Sequence, residues 1–332
     1  MKALIKKLVE IAGPCGYEGP VRELVKTEIA SLVDDLRIDA LGNLIARKGE
    51  KSQDGLRILL TAHMDETGLM VSHVDEHGFA RFTMLGQIPQ HPLIGARVRF
   101  LNGACGVIGG ERLENGEKLH SLEQVFIDTG AKNRAESPVR IGDVAVFDQP
   151  FLDLGKRMLA KALDNRAGVA ALIEVIRKLR VSPHEITFAF TTQEEPGERG
   201  AAVAAYRIDP QLALSIDASP SGDTPKARST EISLGKGPAI KVRDTGMIAN
   251  PGVVRWMIET ADNAKIAYQL EIREGGTSEA RAVQISRGGV PTGCVSIPCR
   301  YDHTPSEMID LSDVQNSVKL VTELISRPIS FL

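Results

Sequence analysis

The stretch EITFAFTTQEEPGERGA, residues 185–201, carries the pattern on which the fold turns. Its first eight residues, rich in Ile, Thr and Phe, read as a buried strand. They run almost directly into two adjacent carboxylates, Glu194 and Glu195. Three other apolar runs end in a similar way: LRILLTA (56–62) is followed by His63 and Asp65, LALSI (212–216) by Asp217, and CVSIP (294–298), a few residues on, by His303. A fifth station, Asp164-Asn165, opens DNRAGVAALIEVIRKLR (164–180), where Val169, Leu172, Ile173, Ile176 and Leu179 recur at helical spacing. Buried strands alternating with helices predict an α/β fold around a largely parallel sheet, and in open sheets of that kind ligands bind beyond the carboxyl ends of the strands. The five stations are therefore expected to converge. Two His among several carboxylates is the donor set of a dinuclear metal hydrolase.

Composition narrows the alternatives. The chain has 332 residues and 42% apolar content, enough for one large domain or two smaller ones with a sizeable core. A formal net charge of -3 with no long Lys/Arg run argues against a nucleic-acid partner. The opening MKALIKKLVEIAG reads as an amphipathic helix, because Lys6, Lys7 and Glu10 interrupt any signal-peptide core. No apolar stretch is long enough to cross a bilayer. Cys15, Cys105, Cys294 and Cys299 form no CxxC pair and are expected as free thiols in a reducing cytosol, which points to a cytoplasmic protein.

Between the stations the sequence changes character. Pro20 suits a helical first turn before Val21, Leu24, Val25, Ile29, Leu32 and Val33, and LRIDALGNLIARK (36–48) places Gly42-Asn43 between two strand-like halves as a hairpin. From about 70 to 156 short alternating runs such as GARVRF and GDVAVF are punctuated by NG, GG and SP turns, with no amphipathic helix. Residues 1–69 and 157–332 are accordingly expected to form the α/β catalytic domain, with 70–156 an inserted all-β domain.

Each station has a chemical reading and a plain one. Asp164 is most simply a helix N-cap, but a carboxylate with two oxygens can also be shared by two cations. Glu194 and Glu195 would repel each other unless solvated or close to a dication, in which case one can ligate metal while the other takes a proton from water. His63 and Asp65, at i and i+2, fall on one face of a continuing strand, so Asp65 can bond the second imidazole nitrogen and fix the tautomer.

The strings HMDETGLMV (63–71), KALDNRAGVAAL (161–172), TTQEEPGERGA (191–201), SIDAS (215–219), LGKGPAI (234–240) and PCRYDHTPSEMIDLSDV (298–314) resemble the tetrahedral, or glutamyl, aminopeptidases, in the same order and over essentially the whole chain. The resemblance implies a zinc-peptidase core of three layers, phosphorylase/hydrolase-like, and a β-barrel or PDZ-like insert serving assembly, up to a dodecamer. It implies His63, Asp164, Glu195, Asp217 and His303 as metal ligands with Asp164 bridging, Glu194 as the general base and Asp65 as the residue orienting His63. Two divalent ions per subunit are then expected, zinc by its taste for imidazole and carboxylate, with cobalt able to substitute. The expected reaction is removal of N-terminal residues from short peptides.

The chain departs from the family pattern at Glu279, where Asp is usual, at Pro196 and Glu198, where Val and Leu are common, and at Asp302 in place of Met. The substrate's amino group is expected to meet either the second ion or a nearby carboxylate such as Glu279. The segment QIPQHPLIGARV (87–98) is expected near a subunit boundary; His91 within it reads first as a surface-loop histidine, and as the alternative as a substrate-binding residue reaching a neighbouring active site. Some relatives carry an endoglucanase label, and paired carboxylates serve glycosidases, yet adjacent residues face each other poorly across a sugar and His ligands have no role there. A non-catalytic assembly protein would have no use for the intact ligand set.

Overall fold

The computed structural model describes residues 1–89, 93–113, 121–227 and 230–329. Two helices, α1 (Lys2–Glu10) and α2 (Gly19–Ile29), lead into strands β1 (Asp35–Ile38), β2 (Leu44–Lys48) and β3 (Arg57–His63). Next come β4 (Gly68–Val74), β5 (Ala80–Leu85), β6 (Arg97–Phe100), β7 (Cys105–Gly110), β8 (Val125–Asp128) and β9 (Val144–Phe147). The rest of the chain supplies β10 (Leu152–Leu154), β11 (Arg157–Ala160), α3 (Leu163–Lys178), β12 (Glu185–Thr191), α4 (Arg199–Ile208) and β13 (Leu212–Pro220). It ends with β14 (Ala239–Arg243), α5 (Pro251–Asn263), β15 (Gln269–Ile272), α6 (Ala280–Gln284), β16 (Thr292–Arg300), β17 (Glu307–Asp310) and α7 (Leu311–Ile325).

Eleven strands form one mixed sheet, ordered β1-β2-β12-β3-β13-β16-β17-β11-β10, with β14 joining β16 and β15 joining β14. The four strands β12, β3, β13 and β16 run parallel at its centre, while β1, β2, β17, β11 and β10 pair antiparallel on the two flanks. The expectation of a largely parallel sheet therefore holds only at the centre. Parallel neighbours need long crossovers, here helical, whereas the flanking strands return through short turns such as the Gly42-Asn43 hairpin.

Alternate residues of the central strands bury on opposite sides. Ile58, Leu60 and Ala62 of β3 pack with the apolar faces of α1, α2, α3, α5 and α7. Leu59 and Ala189 instead meet Ala201, Ala204 and Ala205 of α4 and Val283 of α6. That period of two is what a strand covered on both faces requires, and it makes the core three layers deep.

Strands β4 to β9 close into a separate six-stranded barrel, ordered β4-β5-β8-β7-β6-β9. Its own core includes Leu69, Val71, Phe82, Val98, Phe100, Ile127 and Phe147. The barrel comes back to the sheet at Gly86, just beyond β5. Gly86 has φ +89, and a Cβ there would come within 2.8 Å of Glu195 Oε2. The insert thus packs directly against one of the stations. No helix among the described residues is long and apolar enough to cross a membrane.

Candidate functional site

The carboxyl ends of the parallel strands bring the stations together. His63 is the last residue of β3 and lies in register with Thr191, so Glu194 and Glu195 emerge beside it. Asp217 lies on β13, and His303 sits in the turn between β16 and β17 at φ +57. Asp164 precedes the regular part of α3, with non-helical φ -81 and ψ 106.

The N-cap reading of Asp164 goes instead to its neighbour. Asn165 Oδ1 accepts the Gly168 N–H at 3.1 Å while its Nδ2 donates to the Ile216 carbonyl at 2.8 Å, capping the helix and tying it to β13. Asp164 is released to face inward. Its Oδ1 lies 3.3 Å from His63 Nε2 and its Oδ2 3.3 Å from His303 Nε2.

Two overlapping groups of donors result. His63, Asp164 and Asp217 form one and Asp164, Glu195 and His303 the other, each with one atom per residue and all atoms within 4.8 Å of one another. Asp217 Oδ1 is 3.5 Å from His63 Nε2, and Glu195 Oε1 is 3.5 Å from His303 Nε2. Glu194 Oε2 stands further back, 3.9 Å from the same His63 nitrogen. Asp65 takes the opposite side of the ring, its Oδ1 lying 3.5 Å from His63 Nδ1.

Asp65 has a further task that its spacing from His63 does not reveal. Oδ1 accepts the Glu194 N–H at 3.0 Å and Oδ2 the Glu195 N–H at 3.1 Å. One buried carboxylate thus lies beside an imidazole and holds the backbone of both glutamates. Glu18, overlooked in the sequence, extends the same support by accepting the Gln193 N–H at 3.1 Å.

The charge pattern asks for cations. Burial pushes the Glu194 carboxyl well up, with Asp217, Glu195 and Asp65 adding to the rise and His63 opposing it. Burial likewise raises Glu195 to about 8, although His303 pulls it down. Burial alone would lower the two imidazoles, but Glu194, Asp164 and Asp217 carry His63 well above its usual value, and Glu195 and Asp164 do the same for His303. Crowded carboxylates that strain each other's ionisation in this way are relieved by a bound dication.

Two expectations fare differently. Glu279, just before α6, reaches the end of β12 and is only 1% exposed. Its Oε1 accepts from Thr191 Oγ1, and its Oε2 is enclosed without a partner. The structure thus places Glu279 in contact with the last residue of β12, among the strand ends. His91 lies outside the described residues.

Behind the site, Glu66 accepts from Lys161 Nζ at 2.6 Å, Arg166 Nη2 at 3.4 Å and the Gly13 N–H at 3.0 Å, all buried. Arg166 also donates to the carbonyls of Leu8, Ile11 and Gly13, locking α1 onto the start of α3. Buried charges are tolerated only when paired and hydrogen-bonded to this degree. The adjacency of Glu66 to Asp65 gives a sequence reader no sign of it.

The profile of the M42 glutamyl aminopeptidase family matches residues 42–320 of the chain. A putative aminopeptidase of Acetivibrio thermocellus is 43% identical over 97% of each chain. Among solved structures, an aminopeptidase from the archaeon Desulfurococcus kamchatkensis superposes with a TM-score of 0.93 at 37% identity, covering 98% of this chain and 94% of that one. The TET1 peptidase of Pyrococcus horikoshii, which can assemble into a tetrahedron or a large octahedral shell, gives 0.87 at 34% identity over 98% of both chains. With strand ends, donor groups and barrel all in place, this chain belongs to the M42 glutamyl aminopeptidase family and is a hydrolase of the aminopeptidase type.

Proposed function

We propose that the protein is a metal-dependent aminopeptidase that removes residues one at a time from the free amino end of short peptides, using two divalent ions that share Asp164. The observation that carries this reading is the position of Asp164 between the two imidazoles, with its Oδ1 buried and free of any hydrogen bond. Glu195 Oε1 is orphaned in the same way. Buried carboxylate oxygens without partners are costly, and a dication is the group that would satisfy both.

His63, Asp164 and Asp217 would hold one ion and Asp164, Glu195 and His303 the other, with zinc the natural occupant and cobalt a workable substitute. The pair would supply Lewis acidity at the scissile carbonyl and a water acidified towards a pKa of roughly 7. Glu194 is the proton carrier. In that role its carboxylate would accept a proton from the attacking water and hand it to the leaving amine, which must be protonated before the peptide C–N bond can break. Asp65 keeps the His63 ring in one orientation and, through the two backbone amides it accepts, holds Glu194 and Glu195 apart in their different tasks. Adjacent glutamates on a single turn cannot flank a sugar from opposite sides, so glycoside hydrolysis finds no support in this geometry.

Cleavage should be confined to the terminal residue. An unblocked peptide followed by mass spectrometry is expected to shorten by one residue per step, whereas an acetylated copy should persist. Early internal fragments, or equal rates on both peptides, would rule the reading out.

Assembly is expected through the barrel, which contributes none of the donor residues and has its own closed core. Light scattering should give a mass many times the 35.9 kDa of one chain, with a dodecamer the favoured species. A stable and fully active monomer would refute assembly, while an active dimer would remove only the dodecamer.

A further inference from the structure

Glu307, the first residue of β17, is 2% exposed and takes no part in the chemistry above. Its two oxygens serve two different segments: Oε2 accepts the Asp164 N–H and Oε1 the His303 N–H, each at 2.9 Å. Neither of those residues is held by a regular ladder. Asp164 has non-helical torsions ahead of α3, and His303 lies in a turn with left-handed torsions. Within each segment the backbone is irregular, and the carboxylate of Glu307 links the two. Asp65 does the corresponding work on the far side, where it accepts the amides of Glu194 and Glu195.

A buried carboxylate is costly, and an apolar residue of similar volume would serve packing better. What an apolar residue cannot do is accept two backbone N–H groups from separate segments. Two N–H groups accepted by one carboxyl fix direction as well as distance.

We propose that Glu307 is the positioning residue of the Asp164–Glu195–His303 ion site, setting the separation of Asp164 and His303 by gripping both backbones and so setting that site's affinity for a divalent cation. The proposal rests on the two-ion reading given above. Groups that orient metal ligands in this manner typically control affinity by 10–100-fold.

Two variants separate positioning from charge. Glu307→Asp keeps the charge and both acceptor oxygens but is one methylene too short to span the two amides. Glu307→Gln keeps the length but turns an NH₂ group towards one of the N–H donors. Metal-free wild type and both variants would be titrated with Co²⁺ alone, following ion binding by calorimetry and visible absorption. In both variants the dissociation constant of the ion held by Asp164, Glu195 and His303 should weaken by about 10-fold or more, and that of the other ion, which shares only Asp164 with it, by clearly less. Steady-state kinetics should show kcat falling with little change in KM.

Wild-type affinity for both ions in both variants would overturn the proposal. So would normal binding by Glu307→Asp beside weak binding by Glu307→Gln, since charge alone would then be the cause, or equal weakening of both ions. Should either variant fail to fold, hydrogen exchange on the cobalt-loaded wild type decides: the Asp164 and His303 amides must be among the protected ones, and rapid exchange at either sinks the idea. Wild-type protein that binds fewer than two ions would overturn the two-ion reading itself, and this proposal with it.

Discussion

Glu194→Gln protein should retain its full metal content while losing turnover by on the order of 100-fold or more, the scale of a missing general acid–base. Glu195→Gln should do the reverse, shedding metal first and activity as a consequence. The asymmetry between two neighbouring residues of the same type follows from where their carboxylates lie. Glu195 Oε1 approaches His303 Nε2 to 3.5 Å and has no hydrogen bond of its own, the posture of a ligand atom. Glu194 Oε2 stands back at 3.9 Å from His63 Nε2 and belongs to neither donor group. Both backbones are pinned by Asp65, so an amide substitution at either side chain leaves the main chain in place and isolates the carboxylate's role. Elemental analysis alongside steady-state kinetics reads both effects in one preparation. Equal metal loss in the two variants would show that the roles are misassigned.

Removal of metal should have the largest effect of all. Prolonged chelation is expected to abolish hydrolysis of a short peptide, and added Zn²⁺ or Co²⁺ to restore it. Asp164→Ala should reproduce the loss without a chelator, because it removes the only residue common to both donor groups. That substitution leaves the helix start intact, since Asn165 rather than Asp164 caps Gly168 and anchors to Ile216. The variant should therefore fold normally yet bind less metal as well as turn over more slowly. Undiminished activity in protein shown to be metal-free would end the metal reading.

How much of this could be read from the chain depends on whether the cause is local. The central strands and their stations were legible because a strand covered on both faces must be continuously apolar, so the polar residue that follows marks its end. The Gly42-Asn43 hairpin was legible for the same kind of reason, and Ile38 and Leu44 do pair across it. The mixed character of the sheet was not. An apolar run reports burial but carries no mark of the neighbour's direction, which is decided by how long the connection is and where the helices pack.

The site divides along the same line. Residue type and position after a strand, or for Asp164 at the start of a helix, singled out His63, Asp164, Glu194, Glu195, Asp217 and His303 as chemically able. Which of them meet was decided by the register of β3, β12 and β13, a property of three strands at once. Glu279 and Glu307 show the limit most clearly, for both are glutamates in motif strings beside the site. The tertiary structure closes Glu279 under Thr191 and links the backbones of Asp164 and His303 through Glu307. A carboxylate's chemistry is written in its residue type, but its protonation, its partners and its access to substrate come from the burial and neighbours that only the folded chain supplies.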